Sequence, residues 1–344
     1  MSFSANPILP QHIDSTMLSA FRSCPRKFYH EYILGLRTGD PSIDLHAGAA
    51  LAAALERFYT AIFAELRSTA DAMKECFSCF VNSWGDYPRE ISDSPKSFDR
   101  MWEAIADYLR TYPPHTDHVQ PYVSDEGAVT SEFSFAIPLI DDGFPFHPES
   151  GDPFIYCGRF DMLGSYNGRP CVRDEKTTKY AGATWADQWD LRAQFMGYVW
   201  ACQHAGLALD TVVVRGIVIQ KTQIKQLEAI KIFSDFMIER WYDQLKSDVS
   251  RLVDLYSRNY WDYNFGESCT AYGGCNYSSL CKAKDPTVWM PEYSIRRWNP
   301  LTRTLDTDLP IRSAHGIFDP PLPTAFPDPE LLAVLPSSKG TPAS

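Results

Sequence analysis

Residues 154–177 read FIYCGRFDMLGSYNGRPCVRDEKT. Two apolar-rich runs flank Asn167-Gly168, a dipeptide suited to the positive φ angles of a tight hairpin turn. Side chains alternate along a strand, so Asp174 and Lys176 share one face while Glu175 points to the other. Asp161, on the partner strand, meets Asp174 when the register allows. Paired carboxylates beside a lysine suit metal-assisted phosphodiester hydrolysis, in which the acids hold divalent ions and the ammonium steadies charge. An ordinary charged hairpin carries Asp-x-Lys equally well, so the surrounding sequence has to decide.

Working outward, VTSEFSFAIPL (129–139) alternates apolar and polar residues like a half-buried strand. A helix is expected over about 186–205, then the β-branched strand TVVVRGIVIQK (211–221), another strand near 227–233 and a long helix over about 234–257. Upstream, a helix follows Ser15 and Thr16, with Pro25 marking a kink or break. Helices are also expected at about 48–66, 70–82 and 97–111, before Pro113-Pro114. The order predicts an α/β core behind an N-terminal helical arm.

The formal charge of −11 argues against a surface coated in nucleic-acid contacts. It leaves room for a local basic channel, for which Arg22, Arg26, Lys27, Arg169, Arg173, Lys176 and Lys179 are candidates. No apolar run approaches the ~18 residues of a membrane helix, and the N-terminus lacks a secretory pattern. The expectation is a cytoplasmic protein that uses no membrane. Nine of the 25 prolines fall from Pro300 onward, which predicts an extended or disordered tail over 299–344.

Nine cysteines in an intracellular chain should be mostly reduced. Cys76, Cys79, Cys157, Cys171 and Cys202 read as buried packing residues, despite the Cys-x-x-Cys spacing of the first two. Cys269, Cys275 and Cys281 form Cys-x5-Cys-x5-Cys, and Cys24 lies far upstream in FRSCPRKFYHEY. A lone cysteine with a distant triplet suggests a four-thiolate site tying the chain's ends together, holding either an Fe–S cluster or zinc.

Taken together, GRFD (Gly-x-x-Asp), RDEKT (Asp-x-Lys-Thr), QFMGY (Gln-x-x-x-Tyr) and the cysteines resemble the iron–sulfur branch of the PD-(D/E)XK nuclease superfamily. The likeness covers about residues 15–285, and the cysteine pattern resembles that of CRISPR-associated RecB-like exonucleases and AddB-type nuclease domains. It implies a restriction-endonuclease-like core, a mixed sheet flanked by helices, with an N-terminal helical region and a C-terminal Fe–S loop. It also implies that Asp161 and Asp174 bind Mg²⁺ or Mn²⁺, with Glu132 as the upstream acid. Lys176 would orient the attacking water or stabilise charge, and Gln194 and Tyr198 would support the site or touch the strand. Cys24, Cys269, Cys275 and Cys281 would hold a [4Fe-4S] cluster.

The implied segments are an extension (1–14), a helical region (15–125), the nuclease core (126–262), a cysteine-triplet region (263–298) and the tail. The implied partner is DNA, as single strands or ends, with Tyr29, Tyr32, Trp185 and Trp189 available to stack on bases. Any helicase or recombination protein would be separate, because no GxxxxGK[ST] motif is present. A phage or mobile-element setting fits the same resemblance, and the compartment would then be the host cytoplasm.

Two departures stand out. In GAALAAALE (48–56), Ala52 occupies a position where RecB-like relatives often carry histidine, and His46 reads as a surface residue. Tyr272 stands where the commoner cluster spacing would place a cysteine. The rival expectations are a nuclease fold with weak or no hydrolysis, serving as a binding or assembly module, and a zinc-stabilised interaction module.

Overall fold

The computed structural model describes residues 7–300, apart from 40–41, 91–93, 125–126, 142 and 272–273, together with 318–319. Strand β1 (His12–Asp14) leads into helix α1 (Ser15–Ser23), whose first turn is capped by Asp14, Oδ1 accepting from Met17 N at 2.7 Å. Pro25 then acts through its neighbour. A residue before proline avoids the helical region, and Cys24 is extended at φ −164°. The helix stops there and restarts as α2 (Pro25–Phe28), continuing in a wider π turn over Tyr29–Ile33.

After β2 (Leu36–Thr38) come α3 (Ile43–Tyr59), α4 (Thr69–Trp84) and α5 (Phe98–Thr111). Each begins on a serine, Ser42, Ser68 or Ser97, whose hydroxyl accepts a first-turn backbone N–H. With its π turn, Ile43–Ala64 is long and apolar enough to span a membrane, which corrects the expectation of no such run. Here it serves as a core helix, burying Ala47, Ala50, Leu51, Ala54, Leu55, Phe58 and Tyr59 against the domain.

The remaining strands are β3 (Val119–Pro121), β4 (Ser131–Pro138), β5 (Ile155–Tyr166), β6 (Arg169–Thr178), β7 (Thr211–Ile219) and β8 (Ile224–Ile232). Helix α6 (Ala193–His204) lies between β6 and β7 in sequence, and α7 (Asp235–Ser257) follows β8. Short helices α8 (Glu267–Thr270) and α9 (Ser278–Lys282), strand β9 (Tyr293–Ile295) and the two-residue β10 (Phe318–Asp319) complete the described chain.

The sheet runs β10-β4-β5-β6-β7-β8, with β1 and β3 also paired to β5. Only the β6–β7 and β1–β5 pairs are parallel, so the sheet is mixed. The β5–β6 turn has Asn167 at φ 49° and Gly168 at φ 82°, as the dipeptide requires. Both faces are covered. Phe160, Leu163, Val172 and Val214 pack towards α1, α6 and α7, while Met162 and Ile217 join the core under α3–α5.

Helix α6 begins later than expected, at Ala193, because Arg192 is extended (ψ 110°) and only a single turn forms at Asp187–Trp189. Gly216 makes room for what precedes it: a Cβ there would fall 2.4 Å from the ring of Trp185. Trp185 and Trp189 are therefore buried in the core, as is Tyr32, and none of the three is free to stack on a base. Of the tail, residues 301–317 and 320–344 lie outside the described residues, and with them most of the expectation of an extended or disordered segment.

Candidate functional site

The site forms where the sheet forks. Strands β5 and β6 pair from Tyr166↔Arg169 to Met162↔Arg173 and no further. The next step of that register sets Asp161 opposite Asp174, where the strands part. On β5, residues 158–161 lie between the β1 pairing, which ends at Cys157, and the β6 pairing, which begins at Met162. Side chains supply the missing ladder. Asp161 Oδ2 accepts the backbone N–H of Glu175 at 2.6 Å, and the Tyr198 hydroxyl donates to the Arg159 carbonyl at 2.6 Å. Gln194, one helical turn earlier on α6, donates to the Tyr198 hydroxyl at 2.7 Å.

Asp174 is fully buried and lies 2.7 Å from Lys176 Nζ. Apart from that ion pair, neither of its oxygens has a well-formed hydrogen bond among the described residues. Burial raises the Asp161 carboxyl well above its usual range, and the Asp174 charge adds to this. Burial also raises Asp174, with Lys176 pulling the other way. For Lys176, burial acts downward but the two carboxylates outweigh it and raise it. The pair is thus short of positive charge, a deficit that a hard divalent cation with oxygen ligands would fill.

Glu132 belongs to the same neighbourhood in a strained way. On β4 it falls opposite Asp161, between the pairs Ser131↔Met162 and Phe133↔Phe160, and its backbone sits at φ 51°. A non-glycine residue in that region stores strain of order 1–3 kcal/mol. Its carboxylate turns to Arg159 Nε at 2.9 Å. Glu132 still lines a cavity of about 130 Å³ with Asp161, Glu175, Lys176 and, from α3, Gly48 and Ala52. Among the described residues, no three His, Cys, Asp or Glu side chains are gathered to hold a metal ion. The structure therefore brings Asp161, Asp174, Lys176, Gln194 and Tyr198 together and sets the Glu132 carboxylate on Arg159. His46 lies outside this cavity, stacked on Tyr87 with ring centroids 4.0 Å apart.

Arg173 and Glu175, which also line this cavity, open a network that the sequence did not disclose. Arg173 and Glu175 form an ion pair at 2.5 Å, and Tyr108 of α5 donates to the same Glu175 oxygen at 2.5 Å. Arg215 of β7 grips Asp117 with two bonds, 2.6 and 2.7 Å, and Glu228 of β8 at 2.9 Å. Burial acts upward on the Asp117 carboxyl, but Arg215 outweighs it and holds it below its usual value. The only sequence signal was charge at inward positions of two strands, Arg173-x-Glu175 and Arg215.

Cys24, at the proline-induced break, and Cys269, Cys275 and Cys281 line one cavity of about 220 Å³. All four are free thiols, and Cys275 N donates to the Cys269 carbonyl at 3.0 Å. Burial raises the Cys281 thiol, with the other three contributing. Cys76, Cys157, Cys171 and Cys202 are buried, and the half-buried Cys79 thiol contacts the Ala53 carbonyl, consistent with packing roles.

A sequence model of the PD-(D/E)XK nuclease superfamily matches residues 15–282. The chain belongs to that superfamily. The matched span runs from α1 through α9, so it holds both the forked sheet and all four cysteines of the cavity. Two solved structures are also similar to this superfamily member. SSO0001 is 12% identical, covering 81% of this chain and 89% of its own, with a TM-score of 0.33. A candidate exonuclease from Eubacterium rectale is 12% identical, covering 80% and 94%, with a TM-score of 0.40. No curated protein matches the chain.

Proposed function

We propose that this protein is a metal-dependent DNA nuclease of the RecB-like branch, acting on single strands or strand ends as an exonuclease. The observation that carries the reading is the Asp161–Asp174 pair at the fork. Asp174 is buried with no well-formed hydrogen bond among the described residues and is adjoined by Lys176, and Asp161 accepts the Glu175 N–H beside it. Superfamily members generally work with Mg²⁺ or Mn²⁺, and this donor set suits such an ion. Asp161 and Asp174 would hold it, with Glu132 available once released from Arg159. The ion would supply Lewis acidity and a more acidic bound water. Lys176 neutralises charge near the reacting phosphate. Tyr198 and Gln194 keep β5 and α6 in register around the pair.

A [4Fe-4S] cluster would be held by Cys24, Cys269, Cys275 and Cys281, which line one enclosure, although among the described residues no three of them are gathered to metal-binding distance. Its role would be structural. Asn264 Nδ2 already bonds the Ser23 carbonyl at 2.6 Å, and the Tyr277 hydroxyl bonds Leu36 O at 2.8 Å, so the same region joins both ends of the chain. The partner is DNA, with any helicase or recombination protein separate, and the setting is cytoplasmic with no membrane role.

A second reading, a nuclease fold with weak or no hydrolysis that serves as a binding or assembly module, is favoured by one observation. Ala52 lines the cavity beside Asp161 and Glu132 and offers no ligand there. End-labelled single-stranded and duplex DNA, incubated with anaerobically purified protein and Mn²⁺, Mg²⁺ or EDTA, separates the two. Metal-dependent loss of label that vanishes in Lys176→Ala supports the nuclease. Intact label with folded, iron-containing protein supports the second reading.

A further inference from the structure

Next to the cysteine cavity, the chain exposes aromatic rings that its core does not need. Tyr263 and Phe265 are stacked, with centroids 5.1 Å apart at an interplanar angle of 11°. They are 38% and 76% exposed. Arg26 lies over the Tyr263 ring, its guanidinium 5.1 Å from that centroid and 5.1 Å from the centroid of Tyr29, which leaves the exposed Phe265 ring as the open surface. A solvent-facing pair of parallel rings beside a cation suits stacking on an unpaired base.

Lys27 lines the cavity beside that platform and also a second, larger one. The second is a groove of about 510 Å³ between α1 and the start of α6, and Gln194 is among the residues that line it. Its walls carry Arg22, Lys27 and Arg192 with the hydroxyls of Ser15, Ser19 and Ser23. Arg22 is paired with Asp248 at 2.6 Å and the groove's acid, Glu31, with Arg37 at 2.6 Å, so Lys27 and Arg192, which have no ion pair among the described residues, carry its net positive charge. In a protein with 43 acidic and 32 basic residues, a groove of this sign is a local concentration of positive charge. It leads to the bond by which Gln194 holds Tyr198 beside the aspartates.

We infer that the Tyr263–Phe265 platform, Lys27 and the α1–α6 groove form one path for a single nucleic-acid strand. A base stacks on the rings, and the phosphates pass Lys27 and Arg192 to reach the Asp161–Asp174 pair. The inference rests on the nuclease reading and gives it a substrate form, an unpaired strand. It also replaces three of the four aromatics first expected from sequence, while the half-buried Tyr29 sits under Arg26. Trp185, Trp189 and Tyr32 are buried, and the rings that face solvent lie downstream of α7.

The test is binding, which needs no turnover. A short oligodeoxythymidine carrying one 2-aminopurine is titrated in EDTA, with fluorescence quenching reporting stacking and anisotropy reporting affinity. The full-length wild-type chain should bind and quench. Tyr263→Ala/Phe265→Ala should bind about tenfold more weakly, within the range for losing one stacked base, and should lose the quench. Phe265→Tyr, which keeps a ring, should retain both. If the double variant fails to fold, Phe265→Ala alone carries the test, since that ring is mostly solvent-exposed. Equal binding and quenching by wild type and a folded variant would overturn the path and leave the nuclease reading standing. Wild-type cleavage confined to duplex DNA, without single-strand binding, would overturn it too. Neither binding nor cleavage by wild type would remove the nuclease reading and the path together.

Discussion

The carboxylate of Asp161 replaces a rung of the sheet: it accepts the N–H of Glu175 at the point where β5 and β6 separate. One residue is therefore both a structural acceptor and half of a buried anionic pair, and substitutions can separate these roles. Asp161→Asn keeps an oxygen for that N–H and removes the charge facing Asp174. It should abolish metal-dependent cleavage while leaving the melting temperature equal to wild type or higher. Asp161→Ala should be inactive too, and less stable than Asp161→Asn by about 1–3 kcal/mol, the cost of a buried N–H left without an acceptor. The pH dependence has a definite sign. Both carboxyls are raised in the folded state, so their contribution is fully present below the unfolded value of about 3.9 and is lost as pH rises. Without divalent metal, wild type should lose stability relative to Asp161→Asn on going from about pH 4 towards neutrality. Urea titrations at several pH values would check this.

Glu175, the middle residue of Asp-x-Lys, stabilises the fold. Glu175→Ala would remove the short ion pair of the fully buried Arg173 and leave it only a 3.9 Å contact with Asp117; breaking a buried pair typically costs about 3–5 kcal/mol. The variant should be recovered poorly or melt well below wild type. Arg173→Met/Glu175→Leu, which removes both charges, should recover much of the loss. If Glu175→Ala melts like wild type but does not cleave, Glu175 is a site residue and the structural assignment is wrong.

The hairpin was legible in sequence because Asn-Gly fixes the turn and period-two alternation fixes the faces, so Asp174 and Lys176 could be placed on one side. The break at Cys24 was legible from Pro25. What the sequence concealed depends on where strands stop pairing. Nothing in GRFD or RDEKT says that the ladder ends at Met162↔Arg173, nor that Glu132 takes a positive φ and turns to Arg159. The burial of Trp185 depends on Gly216, some thirty residues downstream. Local periodicity cannot express a contact of that range.

The cysteine cavity leads to a prediction about the ends of the chain. With iron loaded, the protein should absorb near ~400 nm, as thiolate-bound iron does. Cys24→Ala and Cys275→Ala should each lose that absorbance, although one residue lies at an N-terminal helix break and the other near the C-terminal end of the described chain. Both should expose residues 263–298 to limited proteolysis, while Cys79→Ala, outside the cavity, should change neither readout. Stoichiometric zinc with no iron after anaerobic purification would assign the enclosure to zinc.

His30 provides a pH response independent of the aspartates. Its ring is 4% exposed and stacks on Tyr277 with centroids 5.5 Å apart. Neither nitrogen has a hydrogen-bond partner among the described residues. Burial lowers its pKa from 6.5 to about 4, and the Arg26 charge acts in the same direction. The unfolded chain therefore binds a proton between about pH 6.5 and 4 that the folded chain refuses, and stability falls as pH drops through that window. The shift caps the loss at about 3 kcal/mol, at 1.36 kcal/mol per unit. His30→Phe keeps an aromatic ring against Tyr277 and removes two buried polar atoms, so it should be at least as stable as wild type at pH 7. It should also gain stability relative to wild type as pH drops from 6.5 to 4. Chemical denaturation of both proteins across that range decides the matter: parallel curves would mean that His30 is protonated in the folded state and that an unseen partner stabilises its charge.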